Sequence, residues 1–181
     1  MHETRMYETR NDLHPELRFK MIEMINARLA DAIGLRIQMK VSHWNVKGPQ
    51  FRPLHELFDD IASDVDKYVD LIAERAVQLG GVAEGTLGHV AERSTLEEYA
   101  IGGGAELMVP AVADALAHFG KSTRESIAIA MDSDDQDTAD LFTEVSRGLD
   151  KWLWFVEAHL QGEDEMQASA HDGGEIVAHH P

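Results

Sequence analysis

Between Pro53 and Gly80-Gly81 lies a segment that reads as one uninterrupted helix with two different long faces. At about 100° per residue, Leu54, Leu57, Phe58, Ile61, Val65, Tyr68, Ile72 and Leu79 fall within about 60° of one direction, which is the stripe a helix buries. Pro53 suits a first turn, where its missing N–H removes no bond, and the paired glycines make a C-terminal stop. Upstream, Gly48-Pro49 breaks the preceding helix, whose own stripe includes Leu17, Met21, Met24, Ile25 and Leu29. No alternating run of useful length suggests a strand, and no internal repeat is visible. The pattern predicts an all-α chain with helices near 15–45, 53–79, 105–131 and 136–161. A short helix is expected in the long connection at Ser94-Thr95-Leu96-Glu97-Glu98-Tyr99, capped by Ser or Thr. Pro110 is awkward inside the third long helix: either that helix starts later, near Val109, or it bends there.

The other flank of the second helix carries the chemistry. His55 and Asp59 are four residues apart, as are Asp70 and Glu74, so each pair shares a face. Asp59 and Asp70 point within about 20° of each other, and both pairs lie about 100–200° from the core stripe. Ala62, Ala73 and Val77 share the flank. The pairs are about 22 Å apart along the axis, so one helix cannot close one metal site with both. A second copy laid antiparallel, crossing near residues 64–65, brings His55/Asp59 of one chain to Asp70/Glu74 of the other, twice, across an isologous interface. His43, from the end of the first helix, completes a set of two imidazoles and three carboxylates. Mixed nitrogen and oxygen ligation with open positions suits iron(II); zinc or manganese can substitute. A single such pair on a helix flank is ordinarily solvated surface. The second pair, its distance and its direction away from the core favour a site. Asp66, near the proposed crossing, works against it, because two copies would set like charges together.

At these residues the chain resembles the Dps family, the mini-ferritins named as DNA-binding proteins from starved cells. The matching motif is His43-Trp44-Asn45, Gly48, Phe51, His55, Asp59, Asp70 and Glu74. Further matches are Glu74-Arg75-Ala76-Val77-Gln78-Leu79-Gly80-Gly81, Asp137-Thr138-Ala139-Asp140, Ser146-Arg147, Leu149-Asp150-Lys151 and Trp154-Phe155-Val156-Glu157. The resemblance covers roughly residues 15–161. It implies a ferritin-like four-helix bundle with a short extra helix between the second and third, and a hollow dodecamer with tetrahedral symmetry. It also implies ferroxidase activity: Fe(II) is oxidised, usually by hydrogen peroxide, at sites shared across twofold dimer interfaces, and a ferric mineral is stored inside. On that resemblance Asp59 and Glu74 bridge or anchor the tighter iron, and His43, His55 and Asp70 complete one or two metal positions. Trp44 is either an electron donor or, the favoured reading, packing beneath the site. Trp152 and Trp154 read as core or interface. Acids near the start of the fourth helix line threefold pores in the family, which makes Asp135 and Asp140 the pore candidates.

Charge bears on the choice of partner. The 181 residues carry a net charge of −17, which attracts cations and repels DNA phosphates. Arg5 and Arg10 in the expected flexible N-terminal tail, 1–14, are offset by Glu3, Glu8 and Asp12. The expected C-terminal tail, 162–181, holds Glu163, Asp164, Glu165, Asp172 and Glu175 without Lys or Arg. Its His171, His179 and His180 read as tail decoration ahead of metal collection. DNA binding is therefore doubtful, and a DNA-compacting protein of the stressed nucleoid, with iron oxidation secondary, is the alternative. A di-iron oxygenase with its metals inside one bundle would need Glu-x-x-His motifs, and Glu157-Ala158-His159 has the wrong spacing. A hydrophobic share of 44% suits one compact domain at 15–161. The absence of an apolar run approaching about 20 residues argues against a membrane span. A polar N-terminus and a chain without cysteine fit the cytoplasm.

Overall fold

The computed structural model describes residues 5–102 and 104–172, with side chains described up to 161. Its helices are α1 (Pro15–Asn45), α2 (Phe51–Gln78), α3 (Leu87–Arg93), α4 (Ala105–Met131) and α5 (Gln136–Asp172), and no strand occurs among the described residues. Short turns at 46–50 and 132–135 join α1 to α2 and α4 to α5, and these two hairpins have the most extensive contacts. A long crossover carrying α3 links them. These are the four long helices that the periodicity predicts, arranged in the bundle that the resemblance implies.

The core is the one the stripes specify. Met21, Ile25 and Leu29 of α1, Leu54, Phe58, Ile61, Val65 and Ile72 of α2, Leu116 and Phe119 of α4, and Phe142 and Val145 of α5 are essentially sealed from solvent. Each such side chain contributes about 1.5–3 kcal/mol on burial. Leu57 is only partly buried, whereas Ala62, expected on the outer flank, is buried in the chain's own core.

Two glycines are required by close approach. Gly80 has φ +89°, and a Cβ there would stand 2.7 Å from the Tyr7 carbonyl oxygen. That approach exists because the Tyr7 N–H donates to the Gly80 carbonyl at 2.7 Å. Arg18 ties the same corner by donating to the carbonyls of Leu79 and Leu13. The described part of the N-terminal segment is thus fastened to the end of α2. Gly148 lies within α5 where a Cβ would collide with the Tyr68 hydroxyl.

Helix boundaries depart from expectation chiefly in the crossover and at the end of α5. The short helix in the crossover is α3, capped by Thr86, whose Oγ1 accepts from the His89 N–H. Residues 94–99 are not helical. The Thr95 N–H and hydroxyl and the Ser94 hydroxyl all donate to Asp31 of α1, so they anchor the segment and do not cap a helix. By contrast α4 keeps its expected limits: it starts at Ala105 and not near Val109, Pro110 lies inside it, and the helix forgoes one bond near its beginning. Finally, α5 continues past 161 to Asp172. That stretch has no Pro and is rich in Glu, Gln and Ala, which suit a helix, and the next strong stop is Gly173-Gly174. The side chain of His171, and all of His179 and His180, lie outside the described residues.

Candidate metal centre

The turn between α1 and α2 brings His43 and His55 together. The His43 Nδ1 is 2.7 Å from the His55 carbonyl oxygen, and the His55 Nδ1 is 2.7 Å from the His43 carbonyl oxygen. A carbonyl only accepts, so both Nδ1 atoms carry protons and donate. Both Nε2 atoms are left with the lone pair a metal needs. The rings stack with centroids 3.7 Å apart and planes 22° apart, and Phe51 lies 5.0 Å from His55. The turn itself is held to α5, where His159 Nδ1 meets Gln50 Oε1 at 2.9 Å.

Asp59 lies one turn beyond His55. A hydrogen bond from Lys40 at 2.5 Å holds its carboxyl below the usual range, against a desolvation penalty. The group is ionised and oriented toward α1. Among the described residues no three His, Asp or Glu side chains converge on a metal-sized point within the chain. Asp70 and Glu74 are exposed farther along α2, and neither makes a side-chain ion pair or hydrogen bond among the described residues. Beside them Ala73, Val77, Gln78 and Ala83 line a shallow open groove, with Val77 56% exposed. The α2 flank therefore carries a prepared nitrogen–oxygen half at one end and an unpartnered carboxylate half at the other.

Asp66 pairs with Arg36 at 2.5 Å, which neutralises the charge expected to trouble a self-crossing. Arg36 and Lys40 are contributions to this face that the ligand pattern does not point to. The available signal was spacing: Lys40 precedes His43 by three residues and shares its side of α1.

Asp135, expected at a pore, is instead enclosed within the chain. It is 2% exposed, pairs with Arg75 Nη2 at 2.7 Å, and accepts from the Thr138 N–H at 3.1 Å and the Thr138 hydroxyl at 2.6 Å. It caps α5 and bolts it to α2, with Arg75 Nε also donating to Thr138. A carboxylate so enclosed has no face for a passing cation. Asp140, on the outer side of the first turns of α5, is exposed. Trp44, read as packing beneath the site, is 66% exposed and is not buried beneath it among the described residues. Trp152 is core, its indole N–H donating to Asp64 at 3.1 Å, and Trp154 is 63% exposed.

Comparison with known proteins converges on one family. The model of the ferritin-like domain matches residues 22–166. A protein of Agrobacterium fabrum called "DNA protection during starvation protein" is 39% identical over 160 residues, covering 86% of this chain and 96% of the relative. A second protein of that description, from Bacillus anthracis, is 35% identical and covers 78% and 97%. Among solved structures, DpsA14 from Streptomyces coelicolor superposes with a TM-score of 0.83 at 31% identity, covering 88% of this chain and 95% of that one. The tetragonal form of Mycobacterium smegmatis Dps gives 0.81 at 29% identity, with 85% and 94% covered.

Proposed function

The chain belongs to the Dps family of ferritin-like proteins, and from that premise we propose that it is an iron-storage mini-ferritin that oxidises Fe(II) with hydrogen peroxide at sites shared between two subunits. The observation that carries this reading is the reciprocal bonding of His43 and His55, which presents two Nε2 lone pairs beside an ionised Asp59. Locking both tautomers by backbone carbonyls is what a metal-ligating imidazole needs and what a surface histidine has no reason to do.

In this reading His43, His55 and Asp59 of one chain face Asp70 and Glu74 of an antiparallel second copy. The separation along α2 requires the second copy, because pairs about 22 Å apart on one rod cannot share an ion. Iron is the substrate. Two ferrous ions give up one electron each, one peroxide takes both, its O–O bond breaks, and with two protons the products are water and ferric iron. The carboxylates neutralise the cations and the imidazoles orient them. Trp44, exposed beside the ligands, is placed to pack against the partner subunit. Asp140 stands as the pore residue. A closed dodecamer holding the mineral, and a cytoplasmic location, complete the proposal; zinc and manganese are competitors for the same donors. No helix among the described residues is long and apolar enough to cross a membrane.

The relatives' names speak of DNA protection. A net charge of −17 disfavours neutralising phosphates directly. Removing ferrous iron and peroxide together protects DNA without touching it. The test is anaerobic loading with Fe(II), then peroxide or air, followed optically. We expect rapid oxidation by peroxide in the wild type and loss of about tenfold or more in rate in His55→Ala/Asp59→Ala. Equal rates in both proteins overturn the assignment.

A further inference from the structure

We infer that Lys40 is a built-in placeholder for the metal at Asp59, so that a divalent cation enters the site by exchange with an internal ammonium. The inference rests on the shared metal site proposed above and adds the residue that sets its affinity.

Three observations carry it. The Lys40 Nζ lies 2.5 Å from Asp59 Oδ1, so it occupies a carboxylate oxygen that the metal would use. Lys40 lies one turn before His43 on the same side of α1, which puts the ammonium beside the imidazole donors. A dication held there would sit within a few ångströms of a positive charge, so the ammonium raises the cost of binding the metal at Asp59. The pair is also built to open. Lys40 and Asp59 are 34% and 44% exposed at their side chains, and the two line a small solvent-connected cavity with Arg36, Ser63 and Asp66. A lysine on a flexible four-carbon stem swings into such a space at little cost, which a buried arginine fork would not do. The neighbouring pair supplies the contrast. Arg36 holds Asp66 with the same 2.5 Å contact one turn away on α1, but Asp66 is not among the ligands. The first pair therefore competes with metal and the second only neutralises charge on the face.

This arrangement gives the metal-free half-site a neutral carboxylate pair, lowers its affinity for monovalent and weakly bound cations, and reserves it for a dication that also takes His43 and His55.

The test is zinc binding to the intact assembled protein, read by calorimetry, which needs no oxidation step. We expect Lys40→Gln to tighten zinc binding by about three- to tenfold, as loss of an exposed pair and of a nearby like charge should. Lys40→Arg, which grips a carboxylate through two nitrogens, should bind no more tightly than the wild type. Arg36→Gln, with the same change of net charge, should shift affinity less than about twofold. Melting of each metal-free variant checks that the fold is retained, and Lys40→Arg reports on the exchange should Lys40→Gln fold poorly. Unchanged or weaker binding in Lys40→Gln overturns the placeholder, as does an equal gain in Arg36→Gln, which would indicate net charge alone. If binding is indifferent to His55→Ala/Asp59→Ala, the shared metal site itself fails and takes the placeholder with it; if binding needs those residues but ignores Lys40, only the placeholder falls.

Discussion

At the scale of single residues, hydrogen bonding separates carboxylates that look alike in the sequence. Asp135 and Asp140 both belong to the acid-rich start of α5, yet one is saturated by Arg75 and Thr138 while the other meets solvent. Removing one partner of a buried ion pair leaves the other charge without compensation, at about 3–5 kcal/mol. Asp135→Ala should therefore lower the melting temperature strongly, whereas Asp140→Lys should leave it nearly unchanged and slow iron entry into the assembled protein. Slowed uptake in an Asp135 variant of normal stability, with no effect at Asp140, would reverse the two roles. The sequence discloses the candidate ligands because their i, i+4 spacing is a local property. It does not disclose the burial of Asp135, which depends on Arg75, a residue sixty positions away. Nor does it disclose the carbonyl locks on His43 and His55, which depend on the angle at which the turn returns the chain.

At the scale of elements, the four long helices are legible because their stripes repeat over many turns, and α1 agrees with its expected limits at both ends. The crossover is less legible because Ser and Thr serve equally as caps and as donors to a buried acid. Asp31, fully buried on α1, takes Ser94 and Thr95 and so decides the matter. Farther along, Tyr99 donates to the Gln38 carbonyl at 3.2 Å and meets the Ser42 hydroxyl at 2.7 Å. Burial pushes its phenol above the ordinary tyrosine value, against a smaller opposing effect of Ser42. Because the folded value lies above the unfolded one, the neutral phenol stabilises the fold fully below about pH 10, and that contribution is lost as pH rises through the folded value. Tyr99→Phe should cost about 1 kcal/mol at neutral pH from the lost hydrogen bonds. It should also flatten the alkaline decline in melting temperature. A decline of the same steepness in the variant would mean that other groups govern it.

At the scale of the whole molecule, α2 is a rod whose candidate donors are divided between its two ends, and in the proposed function a subunit on its own is half-equipped at each. Two chains crossing antiparallel would bring each prepared half to each bare carboxylate half, with Arg36 removing the repulsion that Asp66 would otherwise impose at the crossing. Complementation between two inactive variants tests this claim most directly. His55→Ala/Asp59→Ala subunits lack one half of the donors, Asp70→Ala/Glu74→Ala subunits lack the other, and each assembly alone should oxidise iron no faster than buffer. After dissociation, mixing and reassembly in equal amounts, half of the random dimers are mixed and each holds one intact site of two, so about one quarter of wild-type peroxide-driven oxidation should return. A mixture as inactive as its parents, with mixed dimers demonstrated, would contradict the sharing of each site between two chains.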